Sequence, residues 1–153
     1  MNPNQDRVES FEELCKHEQR FFDENLADVE FLVLRKSYVQ AANRFAEFRH
    51  HFEEHIRMEE LIVLPLFARC TGDRKGAGKR ILEEHRGLAA LVDGIATSIS
   101  QWDFACFTQR VAGLRAAMKV HVAEEARLYP GLGEALCTAA DWRLLCFKAG
   151  VSS

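Results

Sequence analysis

The sequence predicts an all-α protein, an antiparallel up-down-up-down four-helix bundle with a short extra C-terminal helix. Three observations lead there. Apolar residues recur at helical spacing along most of the 153 residues. No stretch alternates apolar and polar residues long enough to read as a strand. The breaks between helical patterns are short, which favours neighbours packed against each other.

Each element has its own signal. Ser10 followed by Glu13 is a capping box, and helix 1 runs from about Ser10 toward Leu34, with Phe11, Leu14, Phe21, Phe22, Val29 and Leu32 on one broad apolar stripe. Arg35 and Lys36 sit at the negative end of its dipole. Ser37 and Gln40 form a second capping box, and helix 2 runs from there to Pro65 or just past it, because proline cannot donate its backbone hydrogen bond. The Gly-rich, charged stretch CTGDRKGAGK, residues 70–79, is the clearest break. Its glycines lack the spacing, the following Ser or Thr and the preceding strand of a phosphate loop. Helix 3 covers roughly Gly78 to Ser100, and Asp103 caps helix 4, from about Phe104 to Pro130. A short terminal helix is expected around residues 139–148. The chain reads as a single domain, residues 1–153, with the bundle over about 10–131 and an extension over about 132–153.

Composition narrows the function. A net charge of −3 with no basic stripe gives nucleic-acid binding no electrostatic support. The longest apolar run, Leu61 to Ala68, is too short to span a bilayer, and the polar start MNPNQDRVES lacks the apolar core of a signal peptide. The expectation is a cytoplasmic protein with neither a nucleic-acid nor a membrane partner. Five dispersed cysteines without a CxxC pair argue against a disulfide framework or a zinc ribbon.

The chemistry lies in an internal repeat. KHEQRF holds His17 and EEHRGL holds His85; HIRMEELIVLP holds His55, Glu59 and Pro65, and HVAEEARLYP holds His121, Glu125 and Pro130. The offsets are 68 for the first histidines, 66 for the second, 66 for the glutamates and 65 for the prolines. Each half is thus a helix with one His, a turn, then a helix with His-x-x-x-Glu. His17 and His55 flank the turn near residue 36 symmetrically, as His85 and His121 flank the one near residue 102. Each pair should lie side by side, and all four at similar depth. His and Glu four residues apart share a helix face, about 6 Å apart along the axis. Four imidazoles and two carboxylates are costly to bury unpaired, and a pair of metal ions would offset that cost. Imidazole with carboxylate favours iron, manganese or zinc over calcium or magnesium.

These motifs resemble the hemerythrin-like family, the cation-binding domains whose signature is a lone His, then His-x-x-x-Glu-Glu, then a second such set. The resemblance spans roughly residues 10–131. It implies a four-helix bundle around two non-haem iron ions, oxo- or hydroxo-bridged, with His17 and His55 serving one, His85 and His121 the other, and Glu59 and Glu125 bridging. It implies binding of oxygen or another diatomic ligand such as nitric oxide; turnover of peroxide or nitric oxide, or an iron store or sensor acting through a partner, is the alternative. Two departures separate the chain from the oxygen carriers. Ala89 stands where they place a second His on helix 3, and Ala126 stands where they use an Asp, with Glu125 taking over.

Neighbouring polar residues read more plainly. Glu60 and Glu124 should point about 100° away from the bridging pair and be solvated. His50 should lie on the surface. His51, four residues before His55, could be a further ligand, line the pocket or occupy the helix end. The phenylalanine stripe reads as core.

Overall fold

The computed structural model describes residues 11–71 and 76–129, all in helices and short turns. The elements are α1 (Phe11–Leu34), α2 (Tyr38–Met58), a π-helical turn (Glu59–Val63), α3 (Leu64–Thr71), α4 (Ala77–Ser100) and α5 (Phe104–Leu128). The four long helices form a bundle in which α1 packs on α2, α4 on α5, α2 on α4 and α1 on α5. Ser10 and the expected C-terminal helix lie outside the described residues.

The repeat extends into the backbone of the turns. Lys36 and Trp102 both adopt the left-handed conformation, with φ of 58° and 59°. Each turn closes with the same bonds: Lys36 N–H to Val33 O (2.9 Å) and Ser37 N–H to Leu32 O (2.9 Å), Trp102 N–H to Ile99 O (3.2 Å) and Asp103 N–H to Ser98 O (2.9 Å). This is the Schellman closure, which satisfies the last carbonyls of a helix. A non-glycine residue pays a steric penalty there, so the closure is held by the packing of the helices it joins. The next helix starts at Asp103, whose side chain accepts from Cys106 N–H at 3.1 Å. Ser37 occupies the same place but its hydroxyl caps nothing, so the expected second capping box does not form.

Helix 2 does not stop at Pro65. The chain widens into one π-turn over Glu59–Val63 and continues as α3 to Thr71. A π-turn accommodates one extra residue. It also displaces the carbonyl that a proline ring would crowd in a regular helix, so Pro65 is carried through. The repeat offset drops from 66 at the glutamates to 65 at the prolines across this turn, which accounts for that one-residue slip.

Two apolar clusters bracket the middle of the bundle. The larger lies toward the two tight turns and includes Phe22, Leu26, Phe45, Phe48, Phe52, Leu88, Val92 and Leu114. The smaller holds Leu14, Met58, Val63, Phe67, Ile81 and Tyr129. Burial of a side chain such as Phe48, fully removed from water, contributes about 2 kcal/mol. The phenylalanine stripe is therefore core, as its spacing suggested. The polar groups sit between the clusters, where His55 follows Phe52 on α2 and His85 lies between Ile81 and Leu88 on α4.

No described helix is long and apolar enough to cross a membrane.

Candidate metal centre

Four of the six expected ligands converge. His55, Glu59, His121 and Glu125 each place a ligand atom within 4.8 Å of the others. Glu59 is the hub. Its Oε2 lies 2.9 Å from His85 Nε2, 3.7 Å from His121 Nε2 and 4.0 Å from His55 Nε2. Glu125 Oε1 lies 3.0 Å from His121 Nε2. His85 thus joins the group through Glu59, and its ring packs edge-on against that of His121 with centroids 5.0 Å apart. His17 is half-buried, and its Nδ1 is buried without a hydrogen-bond partner.

Three imidazoles turn Nε2 inward and Nδ1 outward, and each outward nitrogen meets a carboxylate from a neighbouring helix. His55 Nδ1 lies 2.7 Å from Glu18 Oε2, His85 Nδ1 2.9 Å from Glu60 Oε1, and His121 Nδ1 2.8 Å from Glu84 Oε2. At His85 and His121, where the hydrogen bond forms, this arrangement fixes the ring and its tautomer and raises its strength as a ligand. On the other side, Tyr129 donates its hydroxyl to Glu59 Oε1 at 2.6 Å. Sequence reasoning missed Glu18, Glu84 and Tyr129 and read Glu60 as solvated. Glu60 instead reaches His85, because the imidazole lies between it and Glu59 and contacts both. The available signal was adjacency: Glu18 follows His17, Glu84 precedes His85 and Glu60 follows Glu59.

The remaining polar residues stay outside. Glu124 pairs with Arg127 at 2.6 Å on the surface. His50 is exposed. His51 is exposed too, with its ring edge-on to Phe21 at 4.8 Å, and takes no part in the cluster.

The donor set fits a cation. His121 Nε2, on the inward side, is buried beside Glu125 and Glu59 yet lacks a hydrogen bond of proper geometry. Buried polar atoms are ordinarily satisfied. A buried ring nitrogen among carboxylate oxygens that do not align on it fits the donor set of a cation, and His55, Glu59, His121 and Glu125 place such atoms together.

Without metal, the cluster holds its charge through mutual pairing. Burial opposes a charged imidazole at His55, but Glu18 beside it prevails and the pKa is pushed up to about 9. At His121 burial again opposes the charge, and the carboxylates of Glu125 and Glu59 push the pKa up to about 11. Burial would raise Glu59, but His121 and His85 hold it well below the usual carboxylate range. Glu125 moves up, through burial joined by repulsion from Glu59.

The histidine shifts give a pH prediction for the metal-free chain. Both folded pKa values lie above the ordinary 6.5, so the stabilisation from these pairs is full below that value and lost as pH rises through about 9 and about 11. Glu59 acts oppositely, its contribution being lost as pH falls through its lowered pKa. Urea midpoints of the metal-free chain are expected to fall between pH 7 and pH 10. Metal affinity should rise over the same range, since ligands must release protons. A flat urea profile would contradict the pairing.

The chain matches the hemerythrin HHE cation-binding domain over residues 8–132. It belongs to that family, a class of helical domains that bind metal cations. Comparison with curated proteins and with solved structures found no match.

Proposed function

We propose that this chain binds two iron ions, oxo- or hydroxo-bridged, and through them oxygen or another diatomic ligand. The observation that carries the reading is the convergence of inward Nε2 atoms on Glu59 while each outward Nδ1 meets its own carboxylate. His17 and His55 would hold one ion, His85 and His121 the other, and Glu59 and Glu125 would bridge. An antiparallel up-down-up-down order of the four helices brings these residues to one level.

The metal pair would supply reversible coordination of the small ligand. The chain's own residues supply the room for it. A cavity of about 20 Å³ borders His55, His121 and Glu125 and is otherwise lined largely by Phe22, Phe52, Ile56, Leu88 and Met118. That volume suits a water or a diatomic molecule. Its lining is largely apolar, with Cys15, Glu18 and Gln19 as further polar members, and an apolar surround favours holding a small neutral ligand.

Anaerobic reduction of the iron-loaded protein, followed by oxygen, tests the reading through optical spectra. A spectrum that forms with oxygen and reverts on its removal supports reversible binding. Sustained consumption of peroxide or nitric oxide would replace it with an enzymatic role.

A further inference from the structure

The cavity beside the cluster approaches the surface on one side of the bundle. Its wall includes Cys15 and Gln19 of α1 and Met118 and Val122 of α5, all half-buried, whereas Phe22, Phe52 and Leu88 are buried. Residues four apart share a helix edge, so Cys15, Gln19 and Asp23 form one line on α1. Arg115, Met118 and Val122, at helical spacing, form another on α5.

Arg115 shows where the two lines meet, because its guanidinium pairs with Asp23 and Glu30 across the seam between α5 and α1. With the antiparallel order proposed above, each turn back along α1 from Asp23 matches a turn forward along α5 from Arg115. Gln19 therefore comes level with Met118, and Cys15 with Val122. The seam on the other side of α1 is closed at this level: Glu18 meets His55 of α2, and Phe22 packs edge-on against the same imidazole.

We propose that the seam between α1 and α5, rimmed by Cys15, Gln19, Met118 and Val122, is the doorway through which a small uncharged ligand enters and leaves the cavity. The inference rests on the ligand-binding reading above. None of the four rim side chains carries a fixed charge. A neutral diatomic molecule crosses such a rim without shedding a strong hydration shell, and an ion does not. Met118 is the moving part, since an unbranched, flexible side chain swings aside at low cost. The Arg115 clasp holds the two helices together beside it.

A doorway sets rates more than affinity, because a higher barrier slows entry and exit alike. The test is anaerobic stopped-flow capture of nitric oxide by the reduced, iron-loaded full chain, with release followed in the presence of a scavenger. In Met118→Trp both rate constants should fall on the order of tenfold while their ratio moves far less. Met118→Ala should raise both. A second readout needs no iron: iodoacetamide, a small neutral reagent, should alkylate Cys15 several-fold faster in Met118→Ala than in the unaltered chain, read by peptide mass spectrometry. Unchanged capture in Met118→Trp, a change in release alone, or slower capture in Ile56→Trp but not in Met118→Trp would overturn the doorway. So would equal alkylation of Cys15 in the two chains. An iron-loaded chain that forms no nitric oxide complex would overturn the ligand reading instead, with alkylation still deciding the route.

Discussion

Glu59→Gln is expected to empty the centre. The substitution keeps size and most packing, so the bundle should still form. The carboxylate it removes faces the inward nitrogens of His55, His85 and His121 through one oxygen and accepts from Tyr129 through the other. A neutral amide is a far poorer ligand for iron than a carboxylate. It would also replace one carboxylate oxygen by an N–H₂ group, so that either the inward nitrogens or the Tyr129 hydroxyl lose a charged acceptor. The loss should exceed the ~10–100-fold typical of a supporting carboxylate, which is the effect expected for Glu60→Gln. Elemental analysis after iron-replete expression should find below one iron per chain in Glu59→Gln, against about two in the unaltered protein. Glu124→Gln, which touches only the surface Arg127 and Arg80, serves as the silent control. Full iron content in Glu59→Gln would mean that the hub of the cluster is structural.

Chelation should lower the melting temperature by about 10 °C. A ligand that binds only the folded chain at a thousand times its dissociation constant stabilises it by ~4 kcal/mol. For a chain of this size each kcal/mol moves the midpoint by roughly 2–4 °C. The effect is local in origin. Glu59, His85, His121 and Glu125 are all buried, so withdrawing the ions leaves charged and polar groups compensated only by one another. The two apolar clusters on either side remain packed, so helical content should survive while the middle loosens. Differential scanning calorimetry with and without chelator reads this directly. Coincident melting curves would show that the imidazole–carboxylate pairs suffice by themselves.

Much of this was legible in the residues. Helical periodicity marked the four long helices. The repeated His-x-x-x-Glu fixed which faces turn inward, because a helix puts residues four apart on one side. What escaped was whatever depends on contacts between helices. Glu18, Glu60 and Glu84 sit beside the ligand candidates in sequence, but each braces an imidazole on another helix, and no rule of spacing within one helix reports that. Glu60 shows the limit most clearly. A rotation of 100° from Glu59 was read as pointing to water, yet the neighbouring helix α4 lies in that direction. Pro65 misled for a related reason: proline ends a regular helix, but the wide turn before it removed the clash. Ser37 shows the opposite failure, since the right residue at the right place need not make the bond.

The wide turn also marks where the two halves differ. They correspond as helical pairs, with matching turns and matching inward residues. Glu59 and Glu125 are the last positions that stay in step, and by the prolines one half is a residue longer. Glu60 stands at the threshold of that lengthening and carries the carboxylate that the other half lacks. A single added residue, confined to one turn of backbone, leaves the apolar clusters of the bundle intact while the two halves fall out of register beside the polar cluster. The correspondence between the halves is therefore broken just beyond Glu59 and Glu125, next to the residues that gather at the centre.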